Sequence, residues 1–254
     1  MKIAVISDIH ANKLALDEVL NDIKEFSPDK IFCLGDIILA GYDPNYAVSK
    51  MIELKEKMKD DFIIIQGNTD KMVANATPEL ISKTKEVFPC MGYSLEEDIK
   101  ITKKEYIDFV KNLHEKKEVT LNGLEIELVH GSPRKQDENI FPDLPISEVE
   151  KMVENSSSDL ILCGHTHIPC GYSLNSGKTV INVGSVGRAM TKSKKACYLR
   201  LTIDKFSKFV AEHIELDYDR QVVKNLILSR AFESKHNPVY SNMCLLCIYY
   251  TGCP

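Results

Sequence analysis

The chain has 254 residues, of which 44% are hydrophobic, 27% charged and 7% aromatic. This composition is typical of a folded protein with one large or two small domains, and it excludes extensive disorder and collagen-like repeats. The formal net charge of −5 gives no overall attraction for nucleic acid or an anionic membrane, which leaves only a local basic site as a route to such partners.

The first 70 residues alternate predicted strands and helices. An apolar run at 3–6 predicts a buried strand, with no secretory leader before it, and no apolar run reaches the roughly 18 residues of a membrane span. Apolar residues then recur at helical spacing over 16–26, followed by a strand at 31–34, a helix at about 45–58 and a strand at 62–65. We therefore expect a cytoplasmic protein with parallel strands and helices packed outside them.

Residues 72–118 interrupt this alternation. Helical segments are predicted at about 78–88 and 102–114, and Pro89 and Gly92 separate them without a strand between. We interpret this region as a helical insertion, with a lid as its candidate role.

The second half of the chain is richer in predicted strands. Strands at 119–121 and 124–129 flank Asn122-Gly123, a strong hairpin signal. A helix near 146–155 precedes a strand at 160–163. Further strands are predicted at about 170–174, 179–183, 196–203 and 208–216, and a last helix near 218–231.

Five of the eight cysteines fall into two informative groups. Cys33 and Cys163 lie inside predicted strands, where we expect them to be buried and reduced in a cytoplasmic protein. The tail at 236–254 carries three thiols that could bind zinc with His236 or a partner's ligand, although a single short CxxC favours a loosely docked apolar chain end. These thiols are Cys244, Cys247 and Cys253.

Polar side chains follow five of the predicted strands. Ligands of parallel sheets gather at the carboxyl ends of strands, and histidines or carboxylates two residues apart in an extended segment point the same way. Each residue alone fits an ordinary helix cap or a surface histidine. Together they predict a metal centre, because such a cluster without a cation leaves buried polar groups uncompensated. The set is Asp8, His10, Asp36, Asn68, His130, His165 and His167.

The ordered motifs DxH, GD, GNxD, HGSP and GHTH resemble those of the calcineurin-like metallophosphoesterase superfamily, over residues 3 to about 215. The resemblance implies an α/β fold, a four-layer α/β/β/α sandwich of two mixed sheets with a helical insertion, in a domain spanning 1–235. It also implies a dinuclear centre, in which Asp8, His10 and His167 bind one metal, Asn68, His130 and His165 bind the other, and Asp36 bridges both.

The activity implied by this resemblance is hydrolysis of a phosphate ester by attack of a metal-bridging hydroxide. Asp36, Asn68 and His130 are the catalytic candidates, with Asn68 also placed to bind substrate. Two divalent or trivalent ions are implied, and Mn, Fe, Zn, Co and Ni all accept mixed imidazole and carboxylate ligands. The expected partner is a small-molecule phosphate ester, and the sequence leaves the oligomeric state open.

One position departs from the family pattern. Many members carry GNHD, whose histidine is thought to protonate the leaving group, whereas this chain has Thr69 there. A hydroxyl is too weak an acid, so a good leaving group, a bound water or a residue of the insertion must take that role. A branch that resembles bacterial and archaeal phosphodiesterases with GNCD also lacks the histidine, which favours a phosphodiesterase. The alternatives are a phosphomonoesterase or nucleotide pyrophosphohydrolase that uses His114, and a non-catalytic metal-binding scaffold.

Three further residues are candidates for substrate contact. Tyr42 lies in a stretch, 42–45, that resembles a loop of a subgroup of bacterial phosphoesterases; the alternative is a turn with Asn45 as a helix N-cap. Arg134 and Arg188 are candidates for bidentate phosphate contacts, with a surface salt bridge as the alternative for each.

Overall fold

The computed structural model describes residues 1–233 of the chain, with side-chain environments for residues 1–230. Within these residues ten strands form two mixed five-stranded sheets. The first sheet contains β1 (Lys2–Ile6), β2 (Lys30–Cys33), β3 (Phe62–Ile64), β9 (Ala196–Ile203) and β10 (Phe209–Leu216). The second contains β4 (Lys116–Leu121), β5 (Leu124–Val129), β6 (Leu160–Cys163), β7 (Cys170–Ser173) and β8 (Thr179–Asn182).

Eight α-helices accompany these strands in the described part of the chain. They are α1 (Lys13–Phe26), α2 (Pro44–Met58), α3 (Asn68–Ala74), α4 (Pro78–Val87), α5 (Pro89–Ile101), α6 (Lys104–Lys111), α7 (Ile146–Val153) and α8 (Arg220–Glu233).

Parallel pairing is confirmed where the sequence alternates strand and helix. In the first sheet, β2 lies between β1 and β3, and all three run parallel. The second sheet has a parallel centre of β5, β6 and β8, with β4 and β7 antiparallel at its edges. The carboxyl ends of parallel strands share an edge, so the loops after them are brought together.

The two sheets pack face to face, and helices cover their outer faces. Strand residues alternate between faces, so Ile3 and Val5 of β1 enter the core between the sheets with Leu128 and Leu162. Ala4 and Ile6 face the other way, into the cluster formed with α1 and α2. On the outside of the second sheet, α7 packs its valines against β6. This is the predicted four-layer α/β/β/α sandwich.

The helical insertion is present, but it contains one helix more than the sequence indicated. The sequence pattern predicts a break at Pro89, whereas this residue occupies the first turn of α5, where its missing N–H costs nothing. Gly92 lies within α5 at the point of closest approach to α4. A Cβ there would stand 2.4 Å from the Lys85 backbone nitrogen of α4, so only glycine fits. The two helices therefore pack closely against each other.

Asn45 is not the N-cap of α2, which corrects the alternative assigned to it. Asp43 caps that helix by accepting a hydrogen bond from the Tyr46 backbone N–H at 3.0 Å. The Asn45 amide instead donates to the Ile101 carbonyl at 2.8 Å and accepts from the Lys103 N–H at 2.9 Å. It joins the start of α2 to the connection between α5 and α6.

Cys33 and Cys163 are buried and unpaired, as expected. The predicted tail at 236–254, with its three thiols and His236, lies outside the described residues. Between residues 1 and 233, no helix has both the length and the apolar character that crossing a membrane requires.

Candidate metal centre

The predicted metal ligands meet where loops from both sheets converge. Asp8 and His10 follow β1, and their backbone N–H groups donate to the carbonyls of Gly35 and Asp36 in the loop after β2, at 3.0 and 2.9 Å. His130 follows β5, and its carbonyl accepts from the Gly164 N–H after β6 at 2.8 Å. Backbone hydrogen bonds thus join neighbouring loops of the site.

The backbone at this edge is strained. A left-handed backbone is uncommon for residues with a side chain, costs energy and concentrates at functional sites. Five of the seven predicted ligands adopt it, with φ between 47° and 69°. They are Asp8, His10, Asp36, His165 and His167.

Gly164 allows the loop after β6 to approach the loop after β1. A Cβ at this position would lie 2.2 Å from the Ser7 hydroxyl oxygen and 2.5 Å from Asp8 Oδ2. No side chain fits there, which explains the glycine in the GHTH motif.

Backbone carbonyls fix the orientation of three imidazoles. His10 Nδ1 lies 3.1 Å from the Leu39 carbonyl oxygen, and the Nδ1 atoms of His130 and His167 lie 2.8 Å from the carbonyls of Leu34 and Arg188. A carbonyl only accepts hydrogen bonds, so each Nδ1 must carry the proton. In the neutral ring, Nε2 then has the lone pair that a metal needs.

The two carboxylates are oriented in the same manner. Asp8 Oδ2 accepts a hydrogen bond from the His165 backbone N–H at 3.0 Å, and Asp36 Oδ1 accepts one from the Thr69 N–H at 2.9 Å. Asp8 Oδ1 lies 3.1 Å from His167 Nε2 and 3.7 Å from His10 Nε2. Asp36 Oδ2 lies between two rings, 3.3 Å from His130 Nε2 and 3.7 Å from His10 Nε2.

These donors form two buried groups with metal-binding geometry. One contains Asp8, His10 and His167, and the other contains Asp8, Asp36 and His130, with the ligand atoms of each group within 4.8 Å of one another. The first group coincides with one of the two predicted ligand sets, and Asp36 lies between His10 and His130.

The residues fit a metal ion because several buried side-chain atoms have no hydrogen-bond partner. Asp8 Oδ1, Asn68 Oδ1 and His130 Nε2 are buried without a hydrogen-bond partner, which is costly inside a protein. His10 Nε2 and His167 Nε2 lie 3.0 Å apart, and two neutral lone pairs repel at that distance. A divalent cation that accepts nitrogen and oxygen ligands relieves both problems.

The electrostatics keep the carboxylates ionised. Burial opposes ionisation of Asp8, but His167 and His130 outweigh it and hold the pKa of Asp8 well below its usual range. For Asp36, burial is outweighed by His130 and His10, which lower the pKa to about 2. Burial lowers the pKa of His165 and His167, so both rings are neutral at pH 7, the form that binds metals.

His165 and Asn68 are close to these groups without belonging to either. The His165 ring is half-buried and lies edge-on to His130, with 5.3 Å between ring centroids. Asn68 begins α3 and contributes the unpartnered Oδ1 described above.

The predicted substrate contacts have other partners in the described structure. The Arg134 guanidinium forms a fork with the Glu138 carboxylate, with N–O distances from 2.6 to 3.1 Å, and this is the salt-bridge alternative. The Tyr42 hydroxyl accepts a hydrogen bond from the Leu14 N–H at 2.8 Å. Arg188 is half-buried and borders the cluster through its carbonyl, which binds His167.

Asp70 holds the site together, although sequence analysis assigned it no role. Its carboxylate accepts hydrogen bonds from the backbone N–H groups of Ile37, Ile38 and Gly67, at 2.9, 3.2 and 3.0 Å. It therefore fixes the loop that carries Asp36 against the start of α3. The position of Asp70 at the end of the GNxD motif is the sequence signal that could have identified this role.

Comparison with known proteins identifies the family of the chain. Residues 1–205 match the model of the calcineurin-like phosphoesterase superfamily domain. The chain is 33% identical over 245 residues to an uncharacterised protein from Methanocaldococcus jannaschii, covering 88% of this chain and 92% of that one.

Two solved structures show the same fold. A hypothetical protein from Pyrococcus horikoshii OT3 superposes with a TM-score of 0.85 at 21% identity, covering 100% of this chain and 99% of that one. A metallophosphoesterase from Sphaerobacter thermophilus gives 0.71 at 22% identity, covering 98% and 99%. The match to the family model over most of the chain shows that this protein belongs to the calcineurin-like phosphoesterase superfamily.

Proposed function

We propose that the protein is a dinuclear metal-dependent phosphoesterase that hydrolyses a small-molecule phosphodiester. The observation that carries this proposal is the buried cluster of carboxylates and imidazoles, at which Asp8 Oδ1, Asn68 Oδ1 and His130 Nε2 have no hydrogen-bond partner. Manganese is the candidate metal for a first test, and a cytoplasmic location remains part of the proposal.

The ligand assignment combines the motifs with the geometry. We assign Asp8, His10 and His167 to one metal, and Asn68, His130 and His165 to the other, with Asp36 shared. The first set is one of the two compact groups, and the position of Asp36 Oδ2 near both His10 and His130 supports its shared role. His165 is assigned through its motif and its position beside His130.

When bound by these residues, two cations would supply a water of lowered pKa and would neutralise charge on the phosphoryl group. The chain's own contribution is positioning. It keeps Asp8 and Asp36 ionised, presents Nε2 of three histidines, and holds the carrier loops in left-handed conformations. Because these groups are oriented before the substrate arrives, little reorganisation is needed during the reaction.

Thr69 supports a diester with a good leaving group. Its hydroxyl is buried and donates to the Ile38 carbonyl at 2.9 Å, and its N–H donates to Asp36. The side chain at this position thus has a structural role, and it supplies no acid for a poor leaving group.

The test is hydrolysis of bis-p-nitrophenyl phosphate and p-nitrophenyl phosphate, metal-free and with Mn²⁺. We expect metal-dependent turnover that favours the diester and falls at least about 100-fold in Asp36→Asn, which removes a charge while keeping the size of the side chain. The matched control is Asp108→Asn, the same change on an exposed carboxylate of α6. Preference for the monoester would overturn the diester assignment, and metal binding without hydrolysis of either ester would favour a scaffold.

His114 favours a second candidate function, a phosphomonoesterase or pyrophosphohydrolase. It lines a cavity of about 420 Å³ together with His130, Arg134 and Gln136, where an acid could reach a leaving group. We expect His114→Gln to steepen the dependence of rate on leaving-group pKa if this residue donates a proton. An unchanged dependence removes His114 from the mechanism.

A further inference from the structure

An apolar cavity of about 540 Å³ lies between α3, α4 and α5 and the loop after β2. Its walls are largely hydrophobic side chains, and Arg188 stands at its border. The hydrophobic lining includes Met72, Leu80, Val87, Phe88 and Met91.

The cavity adjoins the candidate metal centre on two sides. Ala40 and Arg188, which border the cavity, also line a narrow gap beside His10. Met72 lines both the cavity and a polar groove that contains Asn68, one turn earlier on α3. The cavity therefore shares walls with two gaps that contain predicted ligands, His10 of one metal and Asn68 of the other.

The charges around the cavity suit an anion with an apolar substituent. Arg188 lies between the cavity and His10, and Lys83 lies in the lining contributed by α4. Val87 and Phe88 are 61% and 64% exposed, and a cluster of exposed apolar side chains at a cavity indicates a binding surface.

We propose that this cavity binds the apolar aryl or alkyl group of the phosphoester substrate while the phosphoryl group lies at the metal centre. This inference rests on the proposed function and specifies its substrate class. The α4–α5 pair thereby acts as a specificity element, in place of the lid suggested by the sequence.

The test uses p-nitrophenyl hexyl phosphate and p-nitrophenyl methyl phosphate with the full-length Mn²⁺-loaded protein. Both release the same leaving group, so their kcat/KM ratio reports only on the second ester group. We expect the hexyl ester to be favoured by at least roughly 10-fold, the effect of small apolar groups in hydrophobic pockets. Calorimetry with n-hexylphosphonate and methylphosphonate should show the same preference in Kd without turnover.

Phe88→Ala should lower the preference for the hexyl group several-fold by both readouts. Phe206→Ala is the matched control, because Phe206 is 70% exposed in the turn between β9 and β10 and should leave the preference unchanged. Since Phe88 is mostly exposed, its truncation should leave the fold intact, as circular dichroism will check.

The outcomes separate this inference from the proposed function. Turnover of both esters at equal kcat/KM overturns the cavity assignment and leaves the phosphodiesterase standing. Absence of turnover with metal bound overturns the proposed function, and an equal Kd for n-hexylphosphonate and methylphosphonate overturns the cavity inference. A persistent hexyl preference in Phe88→Ala, combined with a changed sedimentation coefficient, assigns this face to contact between two copies and also overturns the inference.

Discussion

Three backbone carbonyls determine what the histidines of the candidate centre can do. Because His10, His130 and His167 each donate Nδ1–H to a carbonyl, their Nε2 atoms are left for a ligand. The motifs predicted which side chains converge, since strand ends of parallel sheets meet. They could not predict these acceptors, because Leu34 lies 96 residues from His130 and belongs to no recognisable motif.

The predicted substrate contacts of the arginines also depend on partners that the motifs do not reveal. Arg134 has the charge and planar donors of a phosphate-binding residue, but Glu138, four residues later, holds its guanidinium. Sequence spacing alone does not decide between a substrate and a neighbouring carboxylate. Arg188 stays a predicted contact, with its position beside the apolar cavity as support.

Metal binding at pH 7 is expected to release about one proton from His130. Burial disfavours its charge, but Asp36 and Asp8 outweigh burial and raise its pKa to about 10, so the metal-free protein holds this ring protonated. A metal ligand must be deprotonated. Calorimetric titration with Mn²⁺ in buffers of different ionisation enthalpy measures the protons released.

The sign of the associated stability effect follows from the raised pKa. His130 stabilises the metal-free protein fully below pH 6.5, its ordinary pKa, and this stabilisation is lost as pH rises through about 10.

In the calorimetric titration, metal binding without proton release at pH 7 would contradict the assignment of His130 as a ligand.

At the level of elements, strongly periodic segments were predictable and tightly packed ones were not. The apolar runs of β1 to β3 alternate with helical segments, and they predicted these parallel strands to within a few residues of their bounds. The hairpin of β4 and β5 was also predicted, although β4 begins earlier, at Lys116, in a charged stretch. The helix α5 was missed because its proline and glycine resemble breaks, whereas the proline occupies its first turn and the glycine allows close packing on α4.

A buried ion pair joins the insertion to α8. Asp98 of α5 is fully buried and pairs with Arg230 of α8, which also donates to the Gly41 carbonyl. The sequence does not reveal this link, because the paired residues are 132 positions apart. The pair thus ties α5 and α8 to the loop that carries the carbonyl partner of His10.

This loop contains Leu39, Ala40 and Gly41 and follows β2. Its first two residues have positive φ values of 82° and 67°. No motif in the sequence reveals that Arg230 contacts it. Packing from two distant helices therefore supports a strained segment beside the candidate centre.

Arg230→Met is expected to lower the free energy of unfolding by about 3 kcal/mol, because it leaves the Asp98 carboxylate buried without its partner. Lys104→Met is the control, since its pair with Asp108 is exposed and contributes little. Urea denaturation measures both. Equal, small losses in the two variants would contradict a structural role for the buried pair.

For the whole molecule, the architecture follows from the order of elements and from the motifs together. Alternating strands and helices predicted parallel sheets, and the family resemblance supplied the face-to-face packing of two of them. The cavity beside the site was not predictable, because it depends on the angle and spacing of α3, α4 and α5, which arise from tertiary packing.

We propose that the buried donor cluster binds two metal ions. The most direct measurement is an anomalous difference map from crystals of the full chain soaked in Mn²⁺. We expect two peaks about 3.5 to 4 Å apart, one among Asp8, His10 and His167 and the other beside Asp36 and His130. A single peak, or peaks that avoid both groups, would contradict a dinuclear centre.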